Sequence, residues 1–258
     1  MTAPDFLERV PDPRIAYHKH EANGDGTSQP GVVFLGGFRS DMTGTKAQYL
    51  EDWARARCRA FVRFDYSGHG QSDGRFEDGC IGDWARDAEA VLDALAPGRQ
   101  VLVGSSMGGW IALLLARRRP ERVAALVGIA AAPDFTEDSM WATFDAAQRE
   151  RLEQDGQVAL PSEYSDEPYV ITRRLIEDGR QNLVLRDPLA LPFPVRLLQG
   201  TADADVDVSV ALRLIEHIES ADARLTLVKD ADHRFSGPRE LALLTDTLDA
   251  LGLDLTAA

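Results

Sequence analysis

Val101–Ala116, VLVGSSMGGWIALLLA, decides the fold. A short valine-rich run leads into Gly-Ser-Ser-Met-Gly-Gly, and a longer apolar run follows. The first run has the length and β-branched content of a buried strand; the second has those of a helix. Between them, Gly104, Ser106 and Gly108 satisfy G-x-S-x-G, whereas centring the pattern on Ser105 puts Val103 in the first glycine's place. Between a strand and a helix this pattern marks a sharp turn that lifts a serine to the carboxyl end of a sheet in a strained backbone conformation. Residues two before and two after the serine then come too close to their neighbours for a side chain, hence Gly104 and Gly108. The following helix aims its free N–H groups and dipole at negative charge developing on a reacting oxygen.

The same alternation extends outward. Residues 31–37, 59–65, 100–105, 123–131, 195–200 and 224–230 read as buried strands. Residues 45–57, 81–96, 109–121, 208–220 and 238–252 carry apolar residues at helical spacing. This order predicts an α/β class with parallel βαβ units and helices on both sheet faces. RIAYHKHE (14–21) reads as an extra, more exposed strand joined to the first buried one by the turn-rich ANGDGTSQPG. Residues 134–187 break the alternation with an amphipathic SMWATFDAAQRERLEQ and a loop-like LPSEYSDEPYV, and no convincing buried strand. A connection this long is expected to carry structure or function of its own, so we expect a cap or lid inserted into a single domain spanning 1–258.

Composition narrows the function. The 258 residues suffice for one large core, and 44% apolar content fits a globular protein. No window reaches the roughly 18 uncharged apolar residues of a membrane span. MTAPDFLERVPDPRIAY has neither a basic start with an apolar block nor an Arg-rich amphipathic pattern, which predicts a cytoplasmic location. A net charge of −14 argues against nucleic acid or anionic membrane as a partner. Cys58 and Cys80 form neither a disulfide framework nor a four-ligand zinc site.

A serine nucleophile needs a base, and the base needs an orienting group. His18 and His20 lie on the extra strand, His217 lies inside a helical pattern, and His69 reads as shaping the turn in DYSGHGQSDG. His233 follows the last strand, where a loop starts, which suits the order serine, acid, histidine. The acid is expected after the preceding strand, where Asp203, Asp205 and Asp207 are candidates; Asp207 is placed to cap the next helix. Trp110, Trp141, Phe144, Tyr164 and Tyr169 are candidates for lining a substrate pocket, with core packing as the alternative.

With these residues in place, the chain resembles the α/β-hydrolases over nearly its whole length. FLGGFRSDMTGTKA (34–47), RFDYSGHGQSDGRFEDG (63–79), LVGSSMGGW (102–110), LVGIAAAPDF (126–135) and LQGTADADV (198–206) resemble one subgroup of that family, described as palmitoyl-protein thioesterases and acyl-glucuronide esterases. The resemblance implies a mostly parallel sheet of about eight strands. It implies Ser106 as nucleophile, Asp203, third after Gly200, as acid, and His233 as base. The backbone N–H groups of Phe38 and Met107 would form the oxyanion hole. Gln199 departs from the histidine the family usually carries before the glycine, a change expected to be harmless. The segment 134–187 matches least.

The implied activity is two-step hydrolysis of a small ester or thioester, or of an acylated protein, without metal or cofactor. Two other readings stay open: a peptidase or C–C bond hydrolase on the same scaffold, and a non-catalytic ligand-binding member. Contacts from the inserted segment to an amine or dienone would favour the former. Indifference to a serine-directed phosphonate would favour the latter.

The two adjacent serines are separable by labelling. A fluorophosphonate probe is expected to label the wild-type protein and Ser105→Ala, but not a folded Ser106→Ala; labelling that persists in Ser106→Ala contradicts the assignment.

Overall fold

A computed structural model describes residues 3–160 and 168–253. Strands β1 (Asp5–Arg9) and β2 (Asp12–His20) form an antiparallel hairpin. The alternation follows: β3 (Gly31–Leu35), α1 (Thr45–Ala56), β4 (Phe61–Phe64), α2 (Ile81–Leu95), β5 (Gln100–Ser105), α3 (Met107–Arg118) and β6 (Val123–Ile129). An excursion then carries a π-helical turn (Thr136–Trp141), α4 (Ala146–Asp155), the hairpin strands β7 (Gln157–Leu160) and β8 (Tyr169–Thr172), and α5 (Arg173–Gln181). The chain ends with β9 (Leu189–Ala190), β10 (Val195–Gly200), α6 (Val208–His217), β11 (Ile218–Glu219), β12 (Ala223–Val228) and α7 (Pro238–Asp249).

The main sheet has eight strands in the order β1-β2-β4-β3-β5-β6-β10-β12. From β4 to β12 every neighbouring pair is parallel, and β2 joins β4 antiparallel. Strands β3, β4, β5, β6 and β10 are buried at every position. This burial on both faces is why they read as continuous apolar runs. Alternate residues divide between two cores: Val33 and Leu35 face α2 and α3, where Trp84 and Trp110 lie, while Val32 and Phe34 face α1 and α7. The edge strands β1 and β12 are partly exposed, and β1 escapes a period-based reading because its only partner is β2.

Among the described residues the excursion holds two short, partly exposed strands where the sequence suggested no buried one. β7 and β8 pair only with each other, so neither has the two-faced burial that marks the central strands. The amphipathic stretch 139–154 is also divided. Its π-helical turn stops at Trp141, and α4 starts from an Asp145–Gln148 capping box. The base of the excursion is clasped by Asp134, whose buried carboxylate accepts hydrogen bonds from the N–H groups of Val184 (2.7 Å) and Leu185 (2.9 Å) and from Arg186 (3.1 Å).

Removing that carboxylate orphans two buried backbone donors. Asp134→Ala is expected to lower unfolding free energy by about 2–4 kcal/mol, and Asp134→Asn, which keeps one acceptor, by about half as much. Urea unfolding midpoints check this, and a loss under about 0.5 kcal/mol for Asp134→Ala contradicts it.

Candidate active site

The turn at the end of β5 is built from crowded backbone. Ser106 sits at φ 54°, ψ −119°, a conformation costing of order 1–3 kcal/mol for a residue with a side chain. Three backbone bonds hold it there: its N–H donates to Ile129 (2.9 Å), and its carbonyl accepts from Gly109 (2.9 Å) and Ala132 (3.1 Å). A Cβ on Gly104 would lie 2.3 Å from the Gly108 carbonyl oxygen, and one on Gly108 would lie 2.1 Å from that of Leu35. No side chain fits at either position, so the strand, the turn and α3 close up only with glycine there.

His233 Nε2 lies 3.2 Å from Ser106 Oγ, and His233 Nδ1 lies 3.1 and 3.0 Å from the two Asp203 oxygens. Asp203 accepts, so Nδ1 carries the proton and Nε2 is left to accept from the serine hydroxyl. Ser105 lies beside the same cavity, but it is Ser106 that reaches the imidazole. The loops bearing the acid and the histidine are sewn together. Ala202 N–H donates to Ala231 (3.0 Å), Thr201 N–H to Val228 (2.9 Å), and Asp230 N–H to Thr201 Oγ1 (2.9 Å).

The Asp203 side chain is fully buried. Its Oδ1 accepts from the N–H groups of Asp205 (2.9 Å) and Val206 (2.8 Å), and its Oδ2 accepts from the Gln199 amide (2.9 Å). Burial alone would raise the Asp203 pKa, but the bonds from His233, Val206 and Gln199 outweigh it and hold the carboxyl below its ordinary value. Two neighbouring carboxylates serve local backbone. Asp207 caps α6 through Ser209 N–H (2.8 Å), as its position suggested. Asp232 accepts from Phe235 N–H (3.1 Å). Asp205 donates its own backbone N–H to Asp203, while its side chain borders the cavity. The contact from Gln199 is one that sequence reasoning missed, because it treated the substitution at that position as inert.

Met107 opens α3, where the first N–H groups have no partner within the helix. Phe38 follows the glycine pair after β3, and a Cβ on Gly37 would lie 3.4 Å from the Ser106 Cβ, so this loop passes directly beside the serine. The loop is held from two sides. Ser40 Oγ accepts from Gly37 N–H (2.9 Å), and His69 Nε2 accepts from Arg39 N–H (3.3 Å). Burial pulls the His69 pKa down to about 4, so its ring is neutral and free to accept that bond. His69 thus shapes its turn and also braces the loop bearing Phe38.

A cavity of about 460 Å³ opens over Ser106. Phe38, Phe135, Met140 and Tyr169 supply apolar wall, and Lys46 and Arg234 lie on its polar side. Burial pulls the Lys46 pKa down to about 8, and its ammonium donates to the Arg234 carbonyl beside His233.

Trp110, Trp141 and Phe144 are not among the cavity-lining residues, which corrects their assignment to the pocket. Trp110 lies beneath it, fully buried, bonded through Nε1 to the Asn182 carbonyl (3.0 Å) and set edge-on against Phe135. The guanidinium groups of Arg149 (5.0 Å) and Arg180 (4.6 Å) lie against the Trp141 ring, and Phe144 is buried in the core. Met140, beside Trp141 on the π-helical turn, lines the cavity, as does Ser139. Tyr169 lines the cavity, and Tyr164 falls outside the described residues.

If Asp203 orients the imidazole, Asp203→Asn is expected to lower kcat severely, up to the order of 10⁴-fold, and Asp205→Asn by less than about tenfold. The check is kcat for both variants on one activated ester, with circular dichroism confirming the fold. A crippled Asp205→Asn beside a near-normal Asp203→Asn reverses the assignment.

Comparison with known proteins agrees with this architecture. The family model described as alpha/beta hydrolase fold matches residues 48–207. The human mitochondrial palmitoyl-protein thioesterase ABHD10 is 36% identical over 251 residues, covering 97% of this chain and 80% of that protein. The structure of mouse alpha/beta hydrolase domain-containing protein 10 superposes with a TM-score of 0.87 at 36% identity, covering 97% of this chain and 98% of that one. The crystal structure of an Agrobacterium vitis S4 protein superposes with a TM-score of 0.90 at 42% identity, with the same coverage of 97% and 98%.

Proposed function

We propose that this chain, which belongs to the alpha/beta hydrolase fold family, is a serine hydrolase that cleaves carboxylic esters or thioesters through an acyl-enzyme. The observation that carries the reading is the continuous relay from Ser106 Oγ to His233 Nε2 (3.2 Å) and from His233 Nδ1 to the buried Asp203 carboxylate (3.0 Å). His233 takes the serine proton as Oγ attacks the acyl carbon. The N–H groups of Met107 and Phe38 receive the oxyanion, as preorganised donors do in acyl transfer. When the tetrahedral adduct collapses, the bond to the leaving oxygen or sulfur breaks and His233 returns the proton to that atom. Water then repeats the attack on the acyl-serine, with the same imidazole as base, and releases the acid.

The excursion at 134–187 acts in this reading as a cap. It contributes Phe135, Met140 and Tyr169 to the cavity, an apolar wall suited to an acyl chain. The volume of about 460 Å³ lies within the range of small-molecule sites, about 300–1,000 Å³. Similarity to a palmitoyl-protein thioesterase over most of the chain favours an acyl thioester as substrate.

The test is kcat/KM across an acyl-chain series, each member offered as oxygen ester and as thioester. Turnover is expected with both, rising with acyl length. Removing one apolar contact changes chain-length discrimination by about 1–3 kcal/mol, or about 10–200-fold. Tyr169→Ala is therefore expected to flatten the length dependence by about tenfold, and Trp141→Ala to leave it within about twofold. Absence of turnover with every member overturns the activity; a length profile changed by Trp141→Ala but not Tyr169→Ala overturns the placement of the acyl chain.

A further inference from the structure

Gln199 ends β10 with only 1% of its surface exposed. Its Nε2 lies 2.9 Å from Asp203 Oδ2, 3.0 Å from the Val206 carbonyl and 3.3 Å from the Gly200 carbonyl. All three neighbours are oxygen acceptors, which settles the amide's orientation: a flipped amide would press Oε1 against a carboxylate. With the nitrogen committed to that side, Oε1 is buried without a donor. An unpaired buried acceptor is costly, and such costs are tolerated where a site needs the other half of the group.

What the other half does is visible on the carboxylate. The two backbone donors, from Asp205 and Val206, both go to Oδ1. Oδ2 receives only His233 and Gln199 among the described residues. We propose that Gln199 is a positioning residue for the reaction. Its amide, anchored on the Val206 carbonyl, holds Asp203 Oδ2 so that the carboxylate meets the His233 Nδ1–H squarely. Gln199 is not among the cavity-lining residues, so it acts through Asp203 and not on substrate. The inference rests on the serine-hydrolase reading above.

Two near-isosteric variants test it through kcat and KM on one activated ester across pH. Gln199→Met removes the donor. We expect kcat to fall about 10–100-fold, the scale of one lost hydrogen bond to a charged group, with KM within about twofold. Gln199→Glu places a second buried carboxyl against Asp203, and the pair then shares a proton. While that proton is held, the introduced carboxyl donates to Oδ2 and activity is kept; once it leaves, two like charges face each other and the relay is disturbed. The titratable neighbours are His233 and Asp205, whose ligand atoms lie within 4.8 Å of Asp203 and of each other, and Asp207, which the Asp203 charge reaches. They are present in both proteins, so the ratio of variant to wild-type kcat isolates the new group. That ratio is expected to fall as pH rises.

A wild-type kcat in both variants, or a loss matched by KM with a pH-independent ratio, overturns the positioning role. Should Gln199→Met fail to fold, the ratio for Gln199→Glu decides. Ser106→Ala, measured alongside, separates the two claims. Full turnover by Ser106→Ala removes the serine-hydrolase reading itself. An inactive Ser106→Ala beside unaffected Gln199 variants removes only the role of Gln199.

Discussion

The close approach of Gly108 to the Leu35 carbonyl is the constraint on which the rest of the site depends. It brings the start of α3 against the end of β3, and with it the Phe38 loop against the serine. The same crowding leaves the serine no relaxed conformation, and the bonds to Ile129, Gly109 and Ala132 fix it where it stands. Backbone strain at one residue is affordable only because the surrounding sheet is buried on both faces and cannot yield. The elbow is thus a product of the core, and the core's alternating strands and helices are what place it at the carboxyl end of the sheet.

Charge is managed by a second constraint. A carboxylate with no exposure is tolerated at Asp203 because four donors surround it, and their sum outweighs the desolvation that would otherwise neutralise it. A carboxyl held below its ordinary pKa contributes stability that is present above the unfolded-state value and is lost as the pH falls through the folded-state one. The neutral His69 works by the opposite route: burial removes its charge, and the bare nitrogen then braces the loop next to the serine. At Asp134 the balance tips the other way: burial outweighs two backbone donors and an arginine and raises its carboxyl pKa above the ordinary value.

Much of this was legible in the chain. The central strands announced themselves because burial on both faces demands continuous apolar runs, and 100–105 and 195–200 coincide with β5 and β10 to the residue. Gly104 and Gly108 were readable because backbone contact excludes every other residue type there. Position along the chain singled out His233, since the order of strand ends orders the loops; Asp203 rested on family resemblance, and the structure brings both to Ser106. The excursion resisted reading for equally physical reasons. Among the described residues its strands β7 and β8 pair only with each other, and its amphipathic stretch is split between a π-helical turn and α4, so no single period runs through it. Trp110 was misassigned because a tryptophan under a pocket and one lining it look alike in sequence. Gln199 was visible as a departure from the family, but its bond to a residue four positions on lies across a turn that no periodicity describes.

The central claim is that Ser106 carries the acyl group between the two half-reactions. Its most direct test is to quench the wild-type protein in acid during steady-state turnover of a 4-nitrophenyl acyl ester, then map the adduct by peptide mass spectrometry. An acyl group is expected on Ser106, in an amount matching the burst of nitrophenolate. An adduct on any other residue, or a burst with Ser106 unmodified, would contradict it.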